Sequence, residues 1–152
     1  MKQLRVLLAE DEPFTRLDIK EMLEEEGMIV VGECGDGESA VNLARAIKPD
    51  LVVMDIKMPG MNGVEAAEIL NRDKVAPVLL LTAYSSPEFI NRAGMAGVLA
   101  YLVKPVTKNS LIPACHIAVN RYQEFAELRE ENANLQEALE ARKLIVRAKG
   151  LL

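Results

Sequence analysis

At 152 residues the chain has room for one ordinary domain and an appendage, and with half of its residues apolar it can bury a real core. A net charge of −5 excludes a surface that is cationic throughout, so the whole molecule is not an electrostatic binder of nucleic acid. Leu4 to Ala9 is too short for a signal peptide, no stretch approaches a membrane span, and Cys34 and Cys115 lack C-x-x-C or metal-ligand spacing; a cytoplasmic protein with reduced thiols is the expectation.

Leu4 to Ala9 reads as a first strand, followed directly by Glu10-Asp11-Glu12. Pro13 suits the first turn of a helix running to about Glu26, with Phe14, Leu17, Met22 and Leu23 as core candidates and Gly27 as its stop. Met28 to Cys34 is a second strand. Gly35 and Gly37 turn the chain into a helix carrying Ala40, Val41, Leu43, Ala44 and Ile47, which ends before Pro49. The Gly32, Gly35 and Gly37 spacing is not the dinucleotide fingerprint and is turn chemistry. Leu51 to Met54 is a wholly apolar strand run ended by Asp55, and Pro59-Gly60 and Asn62-Gly63 force the loop after it. A short helix from Val64 to Asn71 turns Val64, Ala67 and Leu70 inward. Val78 to Thr82 is the fourth strand; Tyr84 to Pro87 opens a helix broken near Gly94 and Gly97; Val98 to Val103 is the fifth, closed by Lys104-Pro105. Five strands alternating with helices make a doubly wound parallel sheet with right-handed crossovers, in the order 2-1-3-4-5.

Ligands of open α/β sheets bind beyond the carboxyl ends of the strands. Asp55 stands there. An aspartate in a strand-to-helix loop is often a helix cap, but Asn62 is better placed for that task, which leaves Asp55 free for chemistry. Glu10 and Asp11 come from the neighbouring first strand, and converging carboxylates need a counter-charge; a hard cation such as Mg²⁺ fits them. Glu12 reads as a solvated acid. Thr82 ends the fourth strand with a hydroxyl and Lys104 the fifth with an ammonium. A cation, a hydroxyl and a lysine around one aspartate are what a phosphoryl group on that aspartate requires. His116 has no partner motif and reads as an ordinary surface or packing residue.

With these residues in place the chain from 4 to 121 resembles a two-component response-regulator receiver domain. Leu-Ala-Glu10-Asp11-Glu12, Val-Met-Asp55-Ile-Lys-Met-Pro59-Gly60, Leu-Leu-Thr82-Ala83 and Ala-Tyr101-Leu-Val-Lys104-Pro105 match its motifs in order. The resemblance implies a flavodoxin-like fold and makes Asp55 the acceptor of a phosphoryl group from a sensor histidine kinase. It implies Mg²⁺ held by Glu10, Asp11, Asp55 and the carbonyl of Lys57. It also implies phosphoryl contacts from Thr82 and Lys104, a switch made of Thr82 and Tyr101, and a cis Lys104–Pro105 peptide. Such a protein is a switch, with at most Mg²⁺-dependent self-phosphorylation and autodephosphorylation, and not a turnover enzyme. Haloacid-dehalogenase-type phosphatases also use a nucleophilic aspartate with Mg²⁺, but in a D-x-D pattern after the first strand; here the aspartate follows the third and position 57 is lysine.

From Ser110, read as an N-cap, no strong breaker appears before Gly150, since Pro113 would fall in the first turn. About 40 helical residues span roughly 60 Å, longer than a receiver is wide, so the helix is expected to overhang. Phe125, Leu128, Asn132, Leu135 and Leu139 follow a/d spacing, with glutamates on the flanks and Arg142 breaking the series; a parallel homodimer is expected, with Asn132 setting its register. The alternative is a helix folded onto its own domain. The segment from 122 to 152 thus reads as a coiled-coil linker and the beginning of a further module. Arg142 to Leu152, with Arg142, Lys143, Arg147, Lys149 and no acid, resembles the opening of the ANTAR domain, an RNA-binding antiterminator module, cut within its first helix. A basic helix end complementing the macrodipole explains the charges alone. Two outputs are open: transcription antitermination through RNA contacts of those four residues, or a coiled-coil receiver acting only through protein partners. No helix-turn-helix segment follows, which disfavours DNA.

Overall fold

The computed structural model describes residues 3–83, 97–98 and 100–148, with side chains as far as 128. Five parallel strands, β1 (Arg5–Ala9), β2 (Ile29–Cys34), β3 (Leu51–Asp55), β4 (Val78–Thr82) and β5 (Ala100–Val103), form one sheet in the order β2-β1-β3-β4-β5. Four helices are described: α1 (Pro13–Glu25), α2 (Gly37–Ile47), α3 (Gly63–Arg72) and α4 (Lys108–Ala148). Residues 1–119 and 120–152 make two compact units.

The central strands β1, β3 and β4 are buried on both faces because alternate residues serve two cores. Leu7, Ala9, Val52, Met54, Val78 and Leu80 pack with Ala40, Val41 and Ala44 of α2 and Val64, Ala67 and Leu70 of α3. Val6, Leu8, Leu51, Val53, Leu79 and Leu81 pack on the other face with Ile19 and Leu23 of α1 and Leu111, Cys115 and Ala118 of α4. Each fully buried leucine here stabilises the fold by roughly 1.5–3 kcal/mol relative to exposure.

Three expectations are corrected. On α1, Phe14 is 82% and Leu17 53% exposed, and the buried stripe is Ile19 and Leu23, with Met22 partly covered. At about 100° per residue Phe14 lies roughly 180° around the helix from Leu23, so the two cannot share a face. Glu12 is not merely solvated: its carboxylate accepts from the amides of Phe14 and Thr15 and caps α1. Helix α4 begins at Lys108, before Ser110. Thr107 Oγ1 accepts from the Ser110 amide at 3.3 Å while Ser110 Oγ accepts from the Thr107 amide at 3.2 Å, a reciprocal cap. Pro113 therefore lies inside the helix, not in its first turn, and withholds a donor from the Asn109 carbonyl. The Tyr84–Gly94 helix expected before β5 lies outside the described residues.

Candidate functional site at the strand ends

The register of the sheet assembles the site. Ala9 pairs with Met54, so Glu10 and Asp55, each one residue further on, leave neighbouring strands side by side. Thr82 pairs with Val103, and the amide of Lys104 donates to the Thr82 carbonyl at 2.7 Å. Glu10, Asp55 and Thr82 are the buried polar residues among those described. The resulting open cavity, about 770 Å³, is lined by Glu10, Asp11, Asp55, Lys57, Thr82 and Lys104, all named from the sequence. Met58 and Ala83, which fall inside the quoted motifs, and Asn62, read as a helix cap, also line it; Thr15 lines it too and no motif marks it.

Carboxylate oxygens of Glu10, Asp11 and Asp55 lie within 4.8 Å of one another. Lys104 Nζ stands 3.1 Å from Glu10 Oε2 and 3.2 Å from Asp55 Oδ2, bridging the two buried acids. Burial, then the charge of Asp55, raises the Glu10 carboxyl above the usual carboxylate range, against the opposing pull of Lys104. Burial works against the Lys104 ammonium, but its hydrogen bond to Glu10 and the charges of Asp55 and Glu10 outweigh it and raise its pKa. Three close acids facing one lysine still carry an excess of negative charge. An oxygen-only donor set of this kind fits a hard divalent cation held by a few carboxylates, and Mg²⁺ is the ion the site suits.

Local sequence explains why Asp55 faces the cavity without capping a helix. Asn62 Oδ1 caps α3 by accepting from the Glu65 amide at 2.9 Å. Gly63 donates to the Ile56 carbonyl at 2.8 Å, and its missing side chain lets it sit against the Asp55 carbonyl oxygen, where any Cβ would collide. The Lys104–Pro105 peptide is cis. Tyr101 is not brought into the cavity. It lies on β5, 42% exposed, paired in register with Leu80. Arg142, Lys143 and Arg147 fall on α4 beyond the described side chains, and Lys149 lies outside the described residues.

A sheet of this order with acids at its central strand ends defines a flavodoxin-like α/β fold of receiver type. The chain belongs to the response regulator receiver domain family, matched over residues 6–116, and is thus a receiver of a two-component system. It is 53% identical over 148 residues to the transcriptional regulatory protein PdtaR of Mycobacterium tuberculosis, covering 97% of this chain and 72% of that protein. The receiver domain of the putative response regulator NarL from the same organism superposes with a TM-score of 0.76 at 30% identity, covering 79% of this chain and 98% of that one. The CheX–CheY–BeF₃–Mg complex of Borrelia burgdorferi gives 0.68 at 26% identity, covering 73% and 85%. Membership implies interaction with a histidine kinase. Among the described residues no helix is long and apolar enough to cross a membrane.

Proposed function

We propose that Asp55 accepts a phosphoryl group from a sensor histidine kinase and that the resulting change of charge switches an output carried by α4 and the residues after it. The observation that carries this is the placement of Asp55. It is a buried carboxylate at the end of a central strand, spared from capping, 3.2 Å from Lys104 and beside Glu10 and Asp11. In the reaction an Asp55 oxygen attacks phosphorus as the bond to the donor imidazole breaks, and the electron pair of that bond returns to the ring nitrogen. Lys104 turns its ammonium from Asp55 to the new phosphoryl oxygens, and the Thr82 hydroxyl donates to one of them. Mg²⁺ bound by Glu10, Asp11, Asp55 and the Lys57 carbonyl supplies neutralisation of the phosphoryl oxygens. The likeness to a CheX–CheY complex that contains Mg²⁺ and beryllofluoride together supports this reading. Thr82 moving toward the phosphoryl group frees space for Tyr101 to turn inward from its exposed position, which makes the pair the switch.

For the output we propose RNA binding in transcription antitermination. Its supports are the basic Arg142–Leu152 string and likeness to a named transcriptional regulator that continues across almost the whole chain. Protein contacts alone through a coiled coil are the second reading, carried by the apolar spacing from Phe125 to Leu139. Phosphoryl uptake from acetyl phosphate with Mg²⁺ tests the first proposal. Wild-type protein becomes acyl-phosphorylated and Asp55→Asn does not; equal uptake by the variant ends the assignment. A salt titration of RNA affinity, with Arg142, Lys143, Arg147 and Lys149 neutralised together, tests the output, the expected result being weaker binding with a shallower slope.

A further inference from the structure

We infer that Arg16, on the first turns of α1, is a positioning residue for the acidic loop, fixing Glu10 and Asp11 through the peptide that joins them; the inference rests on the phosphorylation-site reading above. Arg16 is half-buried, and its Nε donates to the Glu10 carbonyl oxygen at 2.8 Å. That oxygen belongs to the planar unit linking Glu10 to Asp11, so holding it sets the direction in which both residues leave the backbone. The other backbone group of residue 10 is also tied, its amide donating to the Cys34 carbonyl at 2.9 Å. Arg16 thus completes a two-point clamp.

The far end of the guanidinium is seated as well. A Cβ built on Gly35 would stand 3.3 Å from Arg16 Nη2 and 3.4 Å from the Asp11 Cα, so the β2–α2 loop closes tightly over both. The Arg16 amide donates to the Glu12 carbonyl at 2.9 Å, which ties the clamp to the start of α1. Rigid support behind metal-binding carboxylates is what preserves their geometry when the ion or a phosphoryl group comes and goes. No motif in the sequence marks Arg16, because its contact is with a carbonyl.

Two isosteres separate this role from a general one. Gln places an N–H where the arginine Nε stands but carries no charge, whereas Met places a methyl there. Mg²⁺ binding is measured directly by calorimetry on the full chain, with thermal unfolding recorded alongside. Arg16→Met is expected to weaken Mg²⁺ about tenfold, the ordinary consequence of losing support behind a metal ligand, while Arg16→Gln stays within about threefold of wild type. Equal affinity in all three proteins overturns the inference, as does an equal loss in both variants, which would assign the effect to charge. A lower Tm for Arg16→Met with unchanged Mg²⁺ affinity also overturns it. Should the Met variant fail to fold, Arg16→Leu, which is neutral and carries no donor, replaces it under the same criteria. Wild-type protein that binds no Mg²⁺ and takes up no phosphate would instead refute the underlying site.

Discussion

Lys104 joins the two buried acids of the site. Its side chain, 24% exposed, reaches between the Glu10 side chain, 1% exposed, and the Asp55 side chain, 8% exposed. Removing one partner of such a buried group leaves the others uncompensated, so Lys104→Met is expected to destabilise the metal-free protein by about 3 kcal/mol. Mg²⁺ should restore part of that stability, because an ion bound only by the folded state stabilises it by mass action. Urea unfolding with and without Mg²⁺ reads both effects, and a variant as stable as wild type without the ion contradicts the account. The two cysteines make a second residue-scale case. Burial pushes the Cys34 thiol up to about 11 and the Cys115 thiol up to about 12, against 9.0 for an ordinary thiol. Both are therefore protonated in the native state at pH 8 and should react with a disulfide reagent far more slowly than in the unfolded chain. A group whose folded pKa is raised gives stability that is complete below its unfolded value and lost as pH rises. The thiol contribution should accordingly hold below about pH 9 and vanish through pH 11–12. Rapid native labelling at pH 8 would contradict the burial of these thiols.

At the level of elements, the helices divide into those whose inward face is plain and one whose face is not. For α2, Ala40, Val41 and Ala44 of the expected apolar set are buried, with Leu43 and Ile47 partly covered beside them. For α1, apolar residues surround the helix, and only the packing partners on the sheet select Ile19 and Leu23 over Phe14 and Leu17. Leu23→Ala should therefore cost 2–5 kcal/mol and Phe14→Ala within about 0.5 kcal/mol, a contrast that equilibrium denaturation measures directly. The strands were easy to read for the opposite reason. Runs such as Leu51–Met54 are apolar throughout because both faces are covered, and the first polar residue marks the strand's end and the site together. Hence Glu10, Asp11, Asp55, Thr82 and Lys104 were legible as a set, while Arg16, which acts through a carbonyl, and Thr15, which lines the cavity outside any motif, were not. The α4 start escaped for a local reason: Thr107 and Ser110 are both cap formers, and their mutual hydrogen bonds decide in favour of Thr107. Thr107→Ala is expected to cost about 1 kcal/mol, a lost cap at an exposed helix end.

On the scale of the whole molecule, what needs explaining is a helix of 41 residues, Lys108 to Ala148, whose first part packs into the core. Leu111, Ala114, Cys115, Ala118 and Val119 are buried against β-sheet residues, a stripe at helical spacing. Beyond it Phe125 is 49% and Leu128 52% exposed, and the sequence continues the same spacing through Asn132, Leu135 and Leu139. Isolated helices depend on packing of an apolar face for most of their stability, so a stretch this long calls for a partner surface. A second copy of the same segment supplies one with matching spacing, and burying each such side chain is worth roughly 1.5–3 kcal/mol before ordering costs. Asn132 at an a position favours two parallel strands in one register, which would bring both Arg142–Lys149 segments to the same end. Paired basic segments would give an acidic molecule, net charge −5, a local surface suited to a polyanion. The protein is accordingly expected to sediment as a dimer at micromolar concentration. Leu128→Asp with Leu135→Asp should return it to monomer while leaving Asp55 phosphorylation by acetyl phosphate intact. Light scattering across a concentration series, with and without beryllofluoride, measures this, and a monomer in both states at high micromolar concentration refutes the coiled coil.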